Sequence, residues 1–356
     1  MKIGFVRRGY SPTGGAEAYL RRLAAGVMAE GHAPVLIGSP EWPEEAWPGE
    51  FVVRVPGDSP LAFARGVARA TEGCDVVFSL ERIFRCDVYR AGDGVHAAWL
   101  ERRAAFEPAW RRWTRALNGK HRELLRLEAE VFSPERTRLV IANSRMVRDE
   151  IVARYDFPAE RIEIVPNGYD APAVAADARE RRRERRREEL GIGAGEFVAL
   201  FAGSGWDRKG LRFAVEAVRG IAGVTLLVAG KGDARGLAAS NVRFLGPRRD
   251  LAEDFAAADV FVLPTIYDPF SNACLEALAA GLPVITTTAN GFAEIVTDGV
   301  HGSTVEPGDV VGIRRALEFW RARGEVAAEC RALAARYSVA ENTRRTLAAM
   351  ERVLRR

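Results

Sequence analysis

Cysteine and histidine are scarce in this chain, and both absences exclude something. The 356 residues hold four cysteines and four histidines. Cys74, Cys86, Cys274 and Cys330 contain no C-x-x-C pair, so neither a disulfide framework nor a cysteine-based zinc site is expected, and a reducing compartment is the natural reading. His32, His96, His121 and His301 show no ligand spacing with one another or with the cysteines. No D-x-D pair is present to hold a divalent ion on a phosphorylated substrate, so no metal or other cofactor is expected. No G-x-G-x-x-G and no Tyr-x-x-x-Lys occurs, which excludes the usual dinucleotide enzymes. No run approaches the roughly 20 apolar residues that span a bilayer. The start, Met1-Lys2 followed by Ile3 to Val6, lacks the core of a signal peptide. A cytoplasmic protein is expected. The net charge of +4 is too small to indicate a nucleic-acid partner, and no repeat or low-complexity tract is evident.

What is present is a hydrophobic content of 48% with 28% charged residues, ordinary for a globular protein, in a length suited to two domains. Apolar runs alternate with segments of helical period, the pattern of parallel strands and crossover helices. Strands are expected at Ile3–Arg7, Pro34–Ile37, Phe51–Val55, Asp75–Phe78, Asp87–Arg90, Arg138–Ala142 and Glu163–Val165. A second set falls at Val198–Phe201, Thr225–Ala229, Val242–Leu245, Val260–Leu263 and Val284–Thr287. Pro166-Asn167-Gly168 signals a turn between the halves. The Arg- and Glu-rich run Asp177–Glu189 has interleaved signs, which reads as a solvated helix rather than a nucleic-acid arm. The domains are therefore 1–168 and 169–338, with a terminal helix at 339–356 that is a candidate to return to the first.

Four places carry chemistry. Gly14-Gly15 lies at a strand-to-helix turn, where backbone N–H groups can approach a phosphate or sugar, or simply make a tight turn. After strand Val198–Phe201, Gly203-Ser204-Gly205 precedes Arg208-Lys209-Gly210, expected to open a helix with two cations placed to neutralise a diphosphate. Most informative is the segment Asp268-Pro269-Phe270-Ser271-Asn272-Ala273-Cys274-Leu275-Glu276. Asp268 stands before a helix and Glu276 one or two turns inside it, so both can border one ligand across the helix N-terminus. Carboxylates for hydroxyls and amides for phosphate describe a nucleotide sugar. In the other reading Asp268 caps the helix and Glu276 is a surface residue. Asp93, between Gly92 and Gly94, marks an exposed loop of unusual backbone; the neighbouring His96 is the weaker candidate.

At these residues the chain resembles glycosyltransferase family 4, whose motif is a carboxylate, seven residues, then Glu. Here Asp268 stands where Glu is usual. The resemblance extends through Gly14-Gly15, Asn143-Ser144, Pro166-Asn167-Gly168, Arg208-Lys209-Gly210 and Asp298-Gly299 to Gly302. It implies an α/β GT-B fold, two Rossmann-like domains facing each other across a cleft, and a retaining, metal-independent hexosyl transfer from a nucleotide diphosphate sugar, a UDP-sugar such as UDP-glucose being favoured. By the same resemblance Arg208 and Lys209 would hold the diphosphate and Glu276 the ribose hydroxyls. Asp268 would hold the sugar, and the amides from Phe270 through Ser271, Asn272 and Ala273 to Cys274 would reach its hydroxyls or the phosphate. Within the family the look is nearest to the bacterial lipopolysaccharide core glucosyltransferases, which have an Asp at the place of Asp93, beside the donor sugar. Asp93 is accordingly assigned to the catalytic centre. A catalytically silent nucleotide-sugar-binding scaffold is the alternative.

The stretch Trp99–Leu127 points to a second partner. Trp99, Phe106, Trp110, Trp113 and Leu117 fall on one helical stripe, interrupted at Pro108 into two short helices, among eight basic and three acidic residues. Such a stripe suits an anionic membrane surface, and with it a saccharide acceptor carried on a lipid. Packing of the aromatics into the first domain is the competing reading.

Overall fold

A computed structural model describes residues 1–11, 15–108, 118–172, 176–324 and 326–355. The chain forms two compact units, Met1–Gly168 together with Val339–Arg356, and Tyr169–Ser338.

The first unit contains β1 (Lys2–Arg7), α1 (Gly15–Ala29), β2 (Ala33–Gly38), β3 (Phe51–Arg54), α2 (Pro60–Ala70), β4 (Val76–Ser79), β5 (Cys86–Ala91), α3 (His96–Ala104), α4 (Gly119–Val131), β6 (Thr137–Ala142), α5 (Arg145–Tyr155) and β7 (Ile162–Ile164). Its sheet is parallel in the order β3-β2-β1-β4-β5-β6-β7. Burial of Ile3, Phe5 and Val6 in central β1 explains the unbroken apolar run: a strand covered on both faces has no solvent side to mark with polar residues. All seven strands expected in this half form.

The second unit holds α6 (Ala176–Glu189), β8 (Phe197–Ala202), α7 (Trp206–Lys209), α8 (Leu211–Val218), β9 (Val224–Ala229), β10 (Val242–Gly246), α9 (Ala252–Ala257), β11 (Val260–Leu263), α10 (Asn272–Ala280), β12 (Val284–Thr287), β13 (Gly302–Val305), α11 (Val310–Ala322) and α12 (Ala327–Ala334). The parallel order is β10-β9-β8-β11-β12-β13. The five expected strands form; β13 was not expected. It is a half-exposed edge strand of sequence Gly-Ser-Thr-Val, too short and too polar to show in an apolar pattern.

Helix α6 departs from expectation. It is not freely solvated but docked: Arg186 meets buried Asp254 at 2.9 Å, Arg183 meets Asp259 at 2.6 Å, and buried Arg187 donates to the Ala257 carbonyl at 3.0 Å. Arginine stems can cover apolar surface while their heads find fixed acceptors, which charge patterning alone does not reveal.

The last helix, α13 (Val339–Leu354), belongs to the first unit. Leu347, Met350 and Val353 join the core with Leu20, Leu23 and Val27 of α1. Asn342 donates to the Pro166 carbonyl and Arg345 to that of Ile164, each at 2.6 Å. No helix among the described residues is long and apolar enough to cross a membrane. Met350 is fully buried, so Met350→Ala should destabilise the first unit by about 2–5 kcal/mol. Urea unfolding followed by a probe in that unit checks this.

Candidate active site

Both sheets reverse direction next to their first strand, and in such sheets ligands bind beyond the strand ends at that reversal. In the second unit the reversal lies between β8 and β11. Arg208 and Lys209 do not open a helix, as the sequence suggested, but end the single turn α7, which Gly210 separates from α8. Gly210 has φ +73° and lies against the chain after β11: a Cβ there would sit 1.9 Å from the Pro264 carbonyl oxygen. No other residue type fits.

This close approach sets the two cations beside the loop after β11. Lys209 Nζ makes a direct ion pair with Asp268 Oδ2. Arg208 Nη1 is 3.7 Å from the same oxygen and donates to the Tyr267 carbonyl at 3.0 Å. Asp268 is only 5% exposed. Burial pushes its carboxyl up, but Lys209, Arg208 and the Phe270 N–H outweigh burial and hold it below the usual carboxylate value.

The loop is held from beneath by Asn290, which sequence reasoning missed. Its Oδ1 accepts from the N–H groups of Ser271 at 3.3 Å and Phe292 at 3.1 Å, and its Nδ2 donates to Thr286 at 2.9 Å. Asp268 bonds through its backbone to Ala289 and Gly291 on either side. The Asn290-Gly291 pair was a legible turn signal, though not of what the turn supports.

Asp268 does not cap the helix that follows. Ser271 does, its Oγ accepting from Cys274 N–H at 3.4 Å. Phe270 and Cys274 are buried, and burial pushes the Cys274 thiol up to about 12, which leaves it inert at neutral pH. Asn272, Ala273 and Glu276 share the half-buried stripe of α10, one turn apart. Glu276 lines a cavity of about 1000 Å³ with Ala279, Phe255, Arg179 and Arg331, which Arg208, Lys209 and Asp268 do not border. The structure thus brings Arg208, Lys209 and Asp268 together and sets Glu276 further along the helix.

In the first unit Gly14 lies outside the described residues, and Gly15 is the first residue of α1. Asp93 follows β5 on a turn closed by Gly94 N–H to the Ala91 carbonyl at 3.1 Å, its side chain 61% exposed and 4.0 Å from Arg7. Arg7 also meets Glu17 at 2.9 Å and Glu81 at 3.0 Å. Burial pushes the Glu81 carboxyl up against the pull of Arg7. Arg82 donates to the Gly94 carbonyl at 2.8 Å, and Asn143 to that of Gly92 at 3.2 Å. None of Arg7, Glu81 and Arg82 was singled out from the sequence. Their signal was position, charged residues ending or directly following buried β1 and β4.

Two of the histidines meet in the fold. His96 Nε2 and His121 Nδ1 are 3.0 Å apart, joined by the packing of α3 on α4 rather than by any sequence spacing. Burial, reinforced by Arg82, lowers His96 to about 4, so it is neutral at physiological pH. Groups of three or more His, Cys, Asp or Glu able to hold a metal are absent among the described residues. Trp99 and Phe106 are half-buried; Trp110, Trp113 and Leu117 lie outside the described residues.

Residues 13–171 match the model of Glycosyltransferase Family 4, and residues 196–320 that of the glycosyl transferases group 1. The chain carries a family 4 and a group 1 glycosyltransferase domain. It is 26% identical over 327 residues to the lipopolysaccharide glucosyltransferase WaaG of Escherichia coli K12, which covers 86% of this chain and 85% of that relative. The crystal structure of WaaG superposes with a TM-score of 0.78 at 24% identity, covering 98% of this chain and 99% of that one. That of Anabaena HepE in complex with UDP and glucose gives 0.72 at 20% identity, covering 99% of both chains. The fold of this glycosyltransferase is GT-B.

Removing Lys209 tests the electrostatics. The lowered Asp268 carboxyl contributes stability above about pH 4, lost as pH falls through its lower folded value. Lys209→Met should therefore destabilise the second unit by about 1–3 kcal/mol near neutrality, less than for a fully orphaned charge because Arg208 remains. The deficit should shrink as pH falls from about 4, where the unfolded carboxyl protonates, through the lower folded value. Urea curves at several pH values measure it.

Proposed function

We propose that this glycosyltransferase moves a hexose from a UDP-sugar to a saccharide acceptor with retention at the anomeric carbon and without a metal ion. The observation that carries the reading is the convergence of Arg208 and Lys209 on one buried carboxylate at the strand-order reversal, beside the N-terminus of α10. A diphosphate entering there meets two cations already held in place by Asp268 and Tyr267, so little reorganisation accompanies its departure. Lys209 and Arg208 then supply the positive charge that a metal supplies elsewhere. The amides from Phe270 to Cys274 and the positive end of α10 add to it. Asp268 accepts from sugar hydroxyls, and Glu276, on the same helix stripe as Asn272 and Ala273, accepts from the ribose. Asp93, exposed beside Arg7, is assigned to the catalytic centre in this reading. The bond from the anomeric carbon to the diphosphate breaks, and the acceptor oxygen attacks from the same face.

The acceptor in this reading is a lipid-linked saccharide such as a lipopolysaccharide core, supported by the likeness to WaaG, and the enzyme works at the cytoplasmic face of the membrane. Lys120, Arg122 and Arg126 on α4 are exposed, as an anionic surface requires. Arg102, by contrast, is paired with Glu150 at 2.7 Å and Arg103 with Glu107, so the basic charge of α3 is largely spent within the unit.

Lys209→Met should lower UDP release from the fastest of a panel of UDP-sugars by about 10²–10³-fold in protein that remains folded. A chelator should leave the wild-type rate unchanged. Turnover within a few-fold of wild type in the variant, or a requirement for manganese or magnesium, would contradict the mechanism. Wild-type protein should bind anionic vesicles at low salt, and binding should weaken with salt and in a folded Arg122→Ala, Arg126→Ala variant; indifference to such vesicles would remove the membrane from the account.

A further inference from the structure

We propose that Glu128 is a positioning residue for the transfer reaction, acting through Arg82 to fix the turn that presents Asp93. The inference rests on the reading of Asp93 as part of the catalytic centre.

Glu128 lies on the inner face of α4 and is fully buried. Its Oε2 accepts from Arg82 Nε at 2.9 Å and from the His96 backbone N–H at 2.5 Å. Its Oε1 accepts from the Ala97 N–H at 2.9 Å and the Tyr155 hydroxyl at 2.6 Å. A carboxylate has about four acceptor positions, so these donors saturate it. Two of them are first-turn amides of α3. The residue at that N-cap is Val95, which has no side-chain acceptor, so Glu128 performs the capping from another helix.

Arg82 extends the arrangement. With Nε on Glu128, its Nη2 donates to the Gly94 carbonyl at 2.8 Å, while Asn143 holds the Gly92 carbonyl on the other side. Asp93 therefore sits between two glycines whose carbonyls are both fixed by side chains. Gly94 has φ +68° and precedes the helix that Glu128 caps. One carboxylate thus holds the Asp93 turn at its far end twice, through Arg82 and through the start of α3.

Packing alone does not require this. A buried ion pair is often replaceable by apolar side chains at no cost in stability. What apolar residues cannot supply is a guanidinium with one nitrogen on a buried anchor and another on a loop carbonyl. A displacement of about 1 Å at a reacting group costs on the order of 10²-fold in rate, so this anchor is expected to act on turnover more than on substrate affinity.

The test compares Glu128→Gln, Asp93→Asn and Tyr155→Phe, reading kcat and KM for UDP release from the fastest UDP-sugar, with thermal stability alongside. Glu128→Gln keeps shape but removes the charge that Arg82 pairs with and sets an NH2 group against donors that the carboxylate accepted from. It should lose about 10- to 100-fold in kcat with donor KM within about twofold. Tyr155→Phe removes a donor from the same carboxylate but leaves the Arg82 anchor, and should keep kcat near wild type whatever its melting temperature. Should Glu128→Gln fail to fold, Arg82→Lys carries the same expectation, since a lysine cannot bridge Glu128 and Gly94 with a fork of donors. A folded Glu128→Gln or Arg82→Lys with kcat near wild type, beside an inactive Asp93→Asn, would overturn the positioning role and leave Asp93 standing. Equal losses in Glu128→Gln and Tyr155→Phe that follow stability would also overturn it. A wild-type rate in Asp93→Asn would overturn the reading of Asp93 and this proposal with it.

Discussion

A buried carboxylate needs a counter-charge, and in the second unit that requirement shapes the site. Asp268 is 5% exposed on the loop after β11 and stays ionised because Lys209 and Arg208 reach it from the turn after β8. The reach depends on the close packing of Gly210 against Pro264, and the loop's backbone on the buried amide of Asn290. Each feature is modest alone. Together they hold two cations at the reversal of the sheet, where α10 presents its amides.

The first unit solves a related problem with different chemistry. Its charges also gather at the ends of β1, β4 and β5, but an arginine is at the centre, Arg7 among Glu17, Glu81 and Asp93. Beside it the Glu128–Arg82 pair ties α4 to the Asp93 turn and to the start of α3. The acidic and basic sets sit on topologically equivalent edges of two sheets, both ordered 3-2-1-4-5 within their units. Parallel strands whose first member lies centrally leave a gap between outgoing loops there, and side chains entering that gap can meet a ligand without disturbing the core.

Much of this was legible beforehand because the relevant signals are local. Fully buried parallel strands read as apolar runs, and the spacing from Asp268 to Glu276 places both on one helix and its lead-in loop. What escaped was set by tertiary contact. Strand β13 has Val305 as its only large apolar residue and takes its place by pairing with β12. Docking of α6 depends on acidic partners some 70 residues away, and the His96–His121 pair on helix packing. Glu128 is one acidic residue among the apolar positions of α4, with no sequence neighbour to indicate that it serves Arg82 and α3. Asn290 carried a turn signal, but its role follows from being buried beneath another loop.

The central claim is that Arg208 and Lys209 receive the donor diphosphate. A crystal structure of the enzyme with an intact, non-transferring UDP-sugar analogue tests it most directly. The account predicts phosphate oxygens within about 3 Å of Lys209 Nζ and the Arg208 guanidinium, with the ribose toward Glu276. A diphosphate bound away from both cations would contradict it.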